Sequence, residues 1–229
     1  MKLGIMQPYF LPYIGYFQLM KAVDKYVIAD NLNYIKQGWI NKNKLLLNGN
    51  EFMFNLAVIG ASQNKLINEI VVANDQSKLL KTIEVNYRRA PFFTDVFPLM
   101  EKIIQHEDKN LARYTGNSMM AVADYLKFST AFMYMSDLER DFSLKAQEMV
   151  INICTIVNAT EYINAIGGTE LYDKETFKKN GIDLFFLKTN QIEYKQFNNP
   201  FVPNLSILDV LMFNSVEEVH GLLGMYDLV

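Results

Sequence analysis

The chain has 229 residues, 50% hydrophobic and 21% charged, the composition of an ordinary globular protein with one sizeable core. A net charge of −3 gives no electrostatic footprint for nucleic acid, and the single cysteine, Cys154, excludes an internal disulfide framework and fits a reducing compartment, so a cytoplasmic protein is expected. No apolar run reaches the roughly 18 residues of a bilayer span, and Pro8, Pro12 and Gly15 interrupt the run that a signal peptide would need.

Residues 3–6 (LGIM) are a short apolar run bounded by turn formers and predict a buried strand. A crowded loop with two prolines follows, then Phe17 and Met20 at helical spacing within 15–23. The segment KYVIAD predicts a second strand, completing a βαβ unit with Asp30 at its C-terminal end, where open α/β sheets bind ligands. Residues 34–58 alternate around Asn48-Gly49, a two-residue hairpin signal. Three helices are predicted next: one from an Asp75 N-cap to just before Pro91, one in VFPLMEKIIQHE, and one in NLARYTGNSMMAVADYLK. TAFMYMS then reads as a strand, 141–157 as a helix, EYINA as a strand and KETFKKNG as a helix stopped by Gly181. IDLFFLK reads as a central strand, followed by short helices at 206–214 and 215–223. The alternation predicts one α/β domain over 1–229: a mainly parallel, Rossmann-like sheet with a helical block at 75–127 and a β-hairpin excursion.

The common nucleotide-loop and nucleophile-elbow motifs are absent, and no cofactor motif replaces them. The two histidines, His106 and His220, are far apart and fit no metal-ligand spacing. Gln7 directly follows the first strand, and the prolines stiffen a loop whose Tyr9, Tyr13 and Tyr16 offer hydroxyls and stacking faces. That loop reads either as one wall of a small-molecule site or as a cover for the sheet edge. Trp39, beside Gln37, Asn41, Lys42 and Asn43, can stack on a ring or pack the hairpin onto the body. Lys36, Lys42 and Lys44 read as a solvated face or a phosphate-facing patch. Gly167-Gly168, between a strand and a helix, reads as an anion-binding nest or a plain tight turn. Ser206 reads as an N-cap with Asp209 at the reciprocal N3 position, a structural explanation that suffices for both.

Taken together, MQPYFLPYIGYFQLMKAVDKYVIADNLNYIKQGWINKNKL, NYRRAPFF, EYINAIGGTELYD and YKQFNNPFVPNLSILDVL resemble the WbqC-like family across nearly the whole chain. The resemblance implies a role in bacterial O-antigen and other cell-surface polysaccharide biosynthesis. Transfer of an acyl or aminoacyl group to an amino sugar is the activity it suggests. By position it marks Gln7, Pro8, Leu11, Pro12, Gly15, Tyr16 and Asp30, then Lys36, Trp39, Asn41, Asn43 and Tyr87. It marks Gly167, Gly168 and Tyr172 further on, and last Tyr194, Gln196, Pro203, Ser206 and Asp209. Family members carry Asn-Arg-Asn where this chain has Asn41-Lys42-Asn43, which keeps the charge and loses the bidentate fork. The opening also resembles nucleotidyltransferases of the HIGH type, with Tyr13-Ile14-Gly15-Tyr16 standing where those carry His-x-Gly-His; this supports the βαβ placement alone.

Two functions follow as expectations. The first is a transferase that takes a nucleotide-linked sugar or an acyl donor as small-molecule substrate, in a cleft between the opening loop and the hairpin. Asp30 would be its general base, and Lys42 and Lys36 would neutralise negative charge. Gln7, Tyr16 and Asn43 would orient the acceptor and Trp39 would stack on its ring. The second is a non-catalytic module that holds a glycan intermediate or a partner enzyme through the aromatic loop.

Overall fold

The computed structural model describes residues 1–229. It opens with β1 (Lys2–Met6), the aromatic loop, α1 (Ile14–Ala22) and β2 (Lys25–Ile28). β1 and β2 pair in parallel, Leu3 against Lys25 through Met6 against Ile28, so the expected βαβ unit is present. The chain then leaves the sheet for a hairpin, β3 (Lys42–Leu47) and β4 (Asn50–Asn55), and a two-residue pair, β5 (Val58–Ile59) and β6 (Val71–Val72). Asn48 and Gly49 turn the hairpin at φ 51° and 77°, both left-handed, as a type I′ turn requires.

The helical block is α2 (Ser77–Tyr87), α3 (Phe93–Ile104) and α4 (Leu111–Tyr125). After it come β7 (Ala131–Tyr134), α5 (Ala146–Ile156), β8 (Glu161–Ala165), α6 (Lys174–Lys179), β9 (Asp183–Thr189), α7 (Ile207–Phe213), α8 (Val216–Leu222) and β10 (Tyr226–Leu228). Several boundaries differ from the sequence pattern: the hairpin spans Lys42–Asn55 rather than 34–58, and α3 starts at Phe93 rather than Val96. α5 starts five residues after 141, because the Asp141 carboxylate accepts bonds from the Ser143 N–H (2.8 Å) and hydroxyl (2.6 Å) and holds a local turn in place of the first helical turn. α2 starts at Ser77, whose N–H donates to Asp75 at 2.8 Å.

The sheet runs β7-β2-β1-β8-β9-β10, parallel throughout except for the antiparallel β9–β10 pair. The strand at IDLFFLK is therefore not central. It lies one in from the edge, covered there by β10, a three-residue strand too short for a pattern of its own. Alternation along the strands sends Tyr26, Ile28 and Ile163 to a large apolar cluster with α1, α4 and α7. Leu3, Ile5, Val27 and Tyr162 go to a smaller cluster with α5 and α6 on the other face. Each large apolar side chain buried this way stabilises the fold by about 1.5–3 kcal/mol. No helix is long and apolar enough to cross a membrane.

Cys154, in the smaller cluster, is fully buried, and that burial pushes its thiol up to about 12. A thiol-disulfide reagent at pH 8 is expected to label the unfolded protein at least ~100-fold faster than the native one, because the reactive thiolate is suppressed in the core. Comparable labelling rates would mean that the α5 face opens readily.

Candidate functional site

After β1 the chain crosses to β2 by way of α1, on one face of the sheet; after β8 it crosses to β9 by way of α6, on the other. The winding thus reverses between β1 and β8. Crevices outside the carboxyl ends of two such strands are where open α/β sheets place ligands. A cavity of about 340 Å³ lies here, walled by Gln7, Tyr9, Tyr16, Tyr162, Asn164 and Tyr172, with Gly167 and Gly168 at its margin.

The opening loop is held in place along its whole length. Leu11 sits at φ 45°, an unfavourable left-handed conformation for a branched side chain. Its carbonyl accepts bonds from Asn43 Nδ2 (2.6 Å) and Ser206 Oγ (2.7 Å), and its N–H donates to Ser118 Oγ at 3.3 Å. Phe10 N–H donates to Ile40 O and Ile207 N–H to Pro12 O, each at 2.9 Å. Asn43 and Ser206 are therefore scaffold for the loop. At Gly15 a Cβ would stand 2.5 Å from the Tyr13 ring, so only glycine lets that ring lie over the first turn of α1. Tyr9 stacks on Tyr16 with centroids 5.0 Å apart.

Two phenols in the crevice wall have no hydrogen-bond partner, Tyr16 and Tyr162, although both are buried. The hydroxyls of Tyr9 and Tyr172 lie near them without completing a bond of acceptable geometry. Burial holds both phenols well above the ordinary tyrosine value. Asn164 accepts the Ala165 N–H through Oδ1 at 2.7 Å. Gly167 and Gly168 form a single 3₁₀ turn after β8. A Cβ at Gly168 would come within 2.8 Å of Asn164 Nδ2, whereas one at Gly167 would meet nothing within 4 Å.

A second cavity of about 340 Å³ opens between the loop and the hairpin, lined by Tyr9, Pro12, Tyr13, Trp39, Asn43 and Lys44. Trp39 is 43% exposed. Lys44 Nζ lies 5.8 Å from the centre of its ring and 2.7 Å from Glu51. Tyr9 lines both cavities.

The expected charged pair is not assembled around either cavity. Asp30 is buried at the end of β2, where Oδ1 accepts the Ser136 N–H at 2.9 Å and Oδ2 the Ser136 hydroxyl at 2.5 Å. It ties β2 to the segment after β7 and lines neither cavity. Lys42 lines neither, and Lys36 is exposed; the cation that reaches the second cavity is Lys44. Asn41 braces the hairpin, accepting from the Tyr34 hydroxyl at 2.8 Å and donating to Leu56 O at 2.9 Å.

Ser206 caps α7 through Leu208 N–H at 3.3 Å, as its spacing implies. Asp209 is not the reciprocal cap. Its buried carboxylate accepts from Tyr87 OH through Oδ2, and from Tyr194 OH and Gln196 Nε2 through Oδ1, each at 2.8 Å. The Tyr87 hydroxyl in turn accepts the Leu46 N–H at 2.8 Å, joining the hairpin to α7. Gln196 bonds both polar groups of Val202, at 2.7 and 3.1 Å. This network fixes the hairpin that carries Lys44. Sequence reasoning missed Tyr162 and Asn164. Their i, i+2 spacing in EYINA puts both on one face of β8, but only the strand order shows that this face meets Gln7 and the opening loop.

Among curated proteins, Uncharacterized protein Rv1507c of Mycobacterium tuberculosis (strain ATCC 25618 / H37Rv) is 28% identical over 218 residues, covering 93% of each chain. No solved structure matches. The pattern of the WbqC-like protein family matches residues 7–221, nearly the whole path just described from Gln7 to the end of α8, and the chain belongs to that family.

Proposed function

We propose that the protein is a transferase of bacterial cell-surface polysaccharide biosynthesis that moves an acyl or aminoacyl group onto an amino sugar. The observation that carries this reading is the pair of cavities of equal volume that share Tyr9 as a lining residue, since group transfer needs two ligands held side by side. The reversal of winding between β1 and β8 supports a Rossmann-like reading of the sheet, with the donor in the crevice. The acceptor ring stacks on Trp39, with Lys44 beside it to balance negative charge. In the transfer, the sugar amine forms a bond to the acyl carbon, the bond from that carbon to its carrier breaks, the carrier leaves with the electron pair, and the amine proton passes to the carrier or to water.

The test is binding of amino sugars and turnover with nucleotide- or carrier-linked acyl donors, with product read by mass. Trp39→Ala and Lys44→Ala are expected to weaken acceptor binding roughly tenfold or more while leaving the fold intact, since both residues are at least partly exposed. Lys42→Ala is expected to leave it unchanged. Equal effects of Lys42→Ala and Lys44→Ala would remove the second cavity from the reading. One observation favours a non-catalytic binding module instead: apart from Lys44, no ionisable acid, lysine, arginine or histidine lines either cavity. Acceptor binding through Trp39 with no product from any donor would establish that alternative.

A further inference from the structure

The crevice between β1 and β8 has a chemistry distinct from that of the Trp39 cavity. None of its lining residues is a lysine, arginine, histidine, aspartate or glutamate. A site for phosphate needs cations or a fan of backbone N–H groups at a helix N-terminus; no cation lines this cavity, and Gly167 and Gly168 belong to a single 3₁₀ turn rather than to a full helix N-terminus. A bare acyl chain would fit the apolar part of the lining but would leave the Tyr16 and Tyr162 hydroxyls buried without partners, a costly arrangement. A sugar ring, with hydroxyls all round, would face mostly aromatic and aliphatic walls.

We infer that the crevice takes a flat, uncharged heterocycle, the nucleobase of a nucleotide-linked donor, with the charged phosphates left outside it. Tyr9 and Tyr172, both partly exposed, supply the faces, each backed by a buried ring: Tyr16 stacks under Tyr9 at 5.0 Å, and Tyr162 meets Tyr172 edge to face at 5.8 Å. Rings of this kind bind nucleobases by their π-faces with little side-chain entropy to lose. Gln7 and Asn164 supply amides, the side chains that pair with base edges through a donor and an acceptor together. The Tyr16 and Tyr162 hydroxyls, buried behind these rings without partners, leave neutral hydrogen-bonding capacity unfilled in the wall. The volume of about 340 Å³ falls within the usual range for small-molecule sites. This inference rests on the two-cavity reading above and assigns the nucleotide end to one of the two cavities.

The experiment is calorimetric titration of the full-length protein with the five common nucleosides, their diphosphates, inorganic pyrophosphate and pantetheine. At least one nucleoside is expected to bind within about tenfold of its diphosphate. Gly167→Leu is expected to abolish that binding without lowering the melting temperature, because a side chain there enters open space and the glycine needs no left-handed φ. Tyr16→Phe and Tyr162→Phe are expected to weaken nucleoside binding at least fivefold while raising the melting temperature of the free protein by roughly 2–6 °C, since each removes a buried hydroxyl that has no partner. Binding of pyrophosphate without any nucleoside, displacement by pantetheine alone, or unchanged nucleoside binding in Gly167→Leu would each overturn the inference. If no nucleoside binds but amino sugars still bind through Trp39, the inference fails and the two-cavity reading stands. If neither class binds, both fail.

Discussion

Replacing Asp209 with asparagine is expected to lower the melting temperature by roughly 6–20 °C. The carboxylate is fully buried and receives three bonds, from Tyr87, Tyr194 and Gln196, so every neighbour points a donor at it. An amide offers one acceptor oxygen and turns two donors toward side chains that are already donating. Breaking one partner of a buried charged network costs about 3–5 kcal/mol. A chain of this length loses about 2–4 °C per kcal/mol. Burial raises the Asp209 carboxyl above its ordinary value, so its contribution to stability is fullest at low pH and declines as pH rises through the folded value. The Asp209→Asn penalty should accordingly be measured at one fixed pH for both proteins, since the contribution of the carboxyl changes with pH. Tyr194→Phe should cost less, about 1–2 kcal/mol, because Tyr87 and Gln196 remain. A penalty under 1 kcal/mol for Asp209→Asn would show that the network is not what fixes the hairpin to α7.

The second large effect is on the alkaline side. Burial holds Tyr16, Tyr26, Tyr87 and Tyr162 well above the ordinary tyrosine value, and Tyr134 is pushed up to about 12. In the unfolded chain the same phenols ionise near 10. Because the fold keeps protons that the unfolded chain has lost, their stabilisation is complete below pH 10 and is lost as the pH rises from 10 toward the folded values. Each such phenol removes about 1.4 kcal/mol of stability per pH unit in that window. Several acting together exhaust an ordinary stability of about 5–15 kcal/mol within one or two units. Circular dichroism should show one cooperative unfolding step between about pH 11 and 12, with phenolate absorbance at 295 nm rising in the same step. Gradual phenolate appearance from pH 10 with the helical signal intact would contradict the burial of these rings.

Local signals in the sequence account for most of the fold. Asn48-Gly49 specifies its hairpin because the turn needs two left-handed residues, and the apolar run at 3–6 is a strand because nothing polar interrupts it. What is not local is not legible. β10 forms because β9 offers an open edge, which three residues of their own pattern could not announce. The site divides the same way. The opening loop is recognisable as a wall because Gln7 follows β1 directly. Lys42 and Lys44 are equivalent by strand alternation, and the choice between them is made by docking of the hairpin, where Ser206 N–H donates to Lys44 O at 2.9 Å and Leu46 N–H to Tyr87. Asp30 stands where a strand-end ligand residue should, but the neighbouring strand delivers Ser136 to it. Asp209 has the spacing of a cap, and only the assembled chain shows the three donors that claim it.

The bracing of the opening loop sets the order in which the molecule can be completed. Leu11 is held by Asn43, Ser118 and Ser206, and Gln18, at the middle of α1, donates to the carbonyls of Leu222 and Met225 and accepts from Thr189. These bonds join residues up to 207 apart in the chain. Contacts so distant in sequence close late and slowly, since the loop entropy between them must be lost first. During synthesis the aromatic loop is among the first segments made and among the last to reach its final shape. A nascent chain that stops before residue 206 carries every tyrosine of the loop and lacks the hydroxyl that holds Leu11 in its left-handed turn.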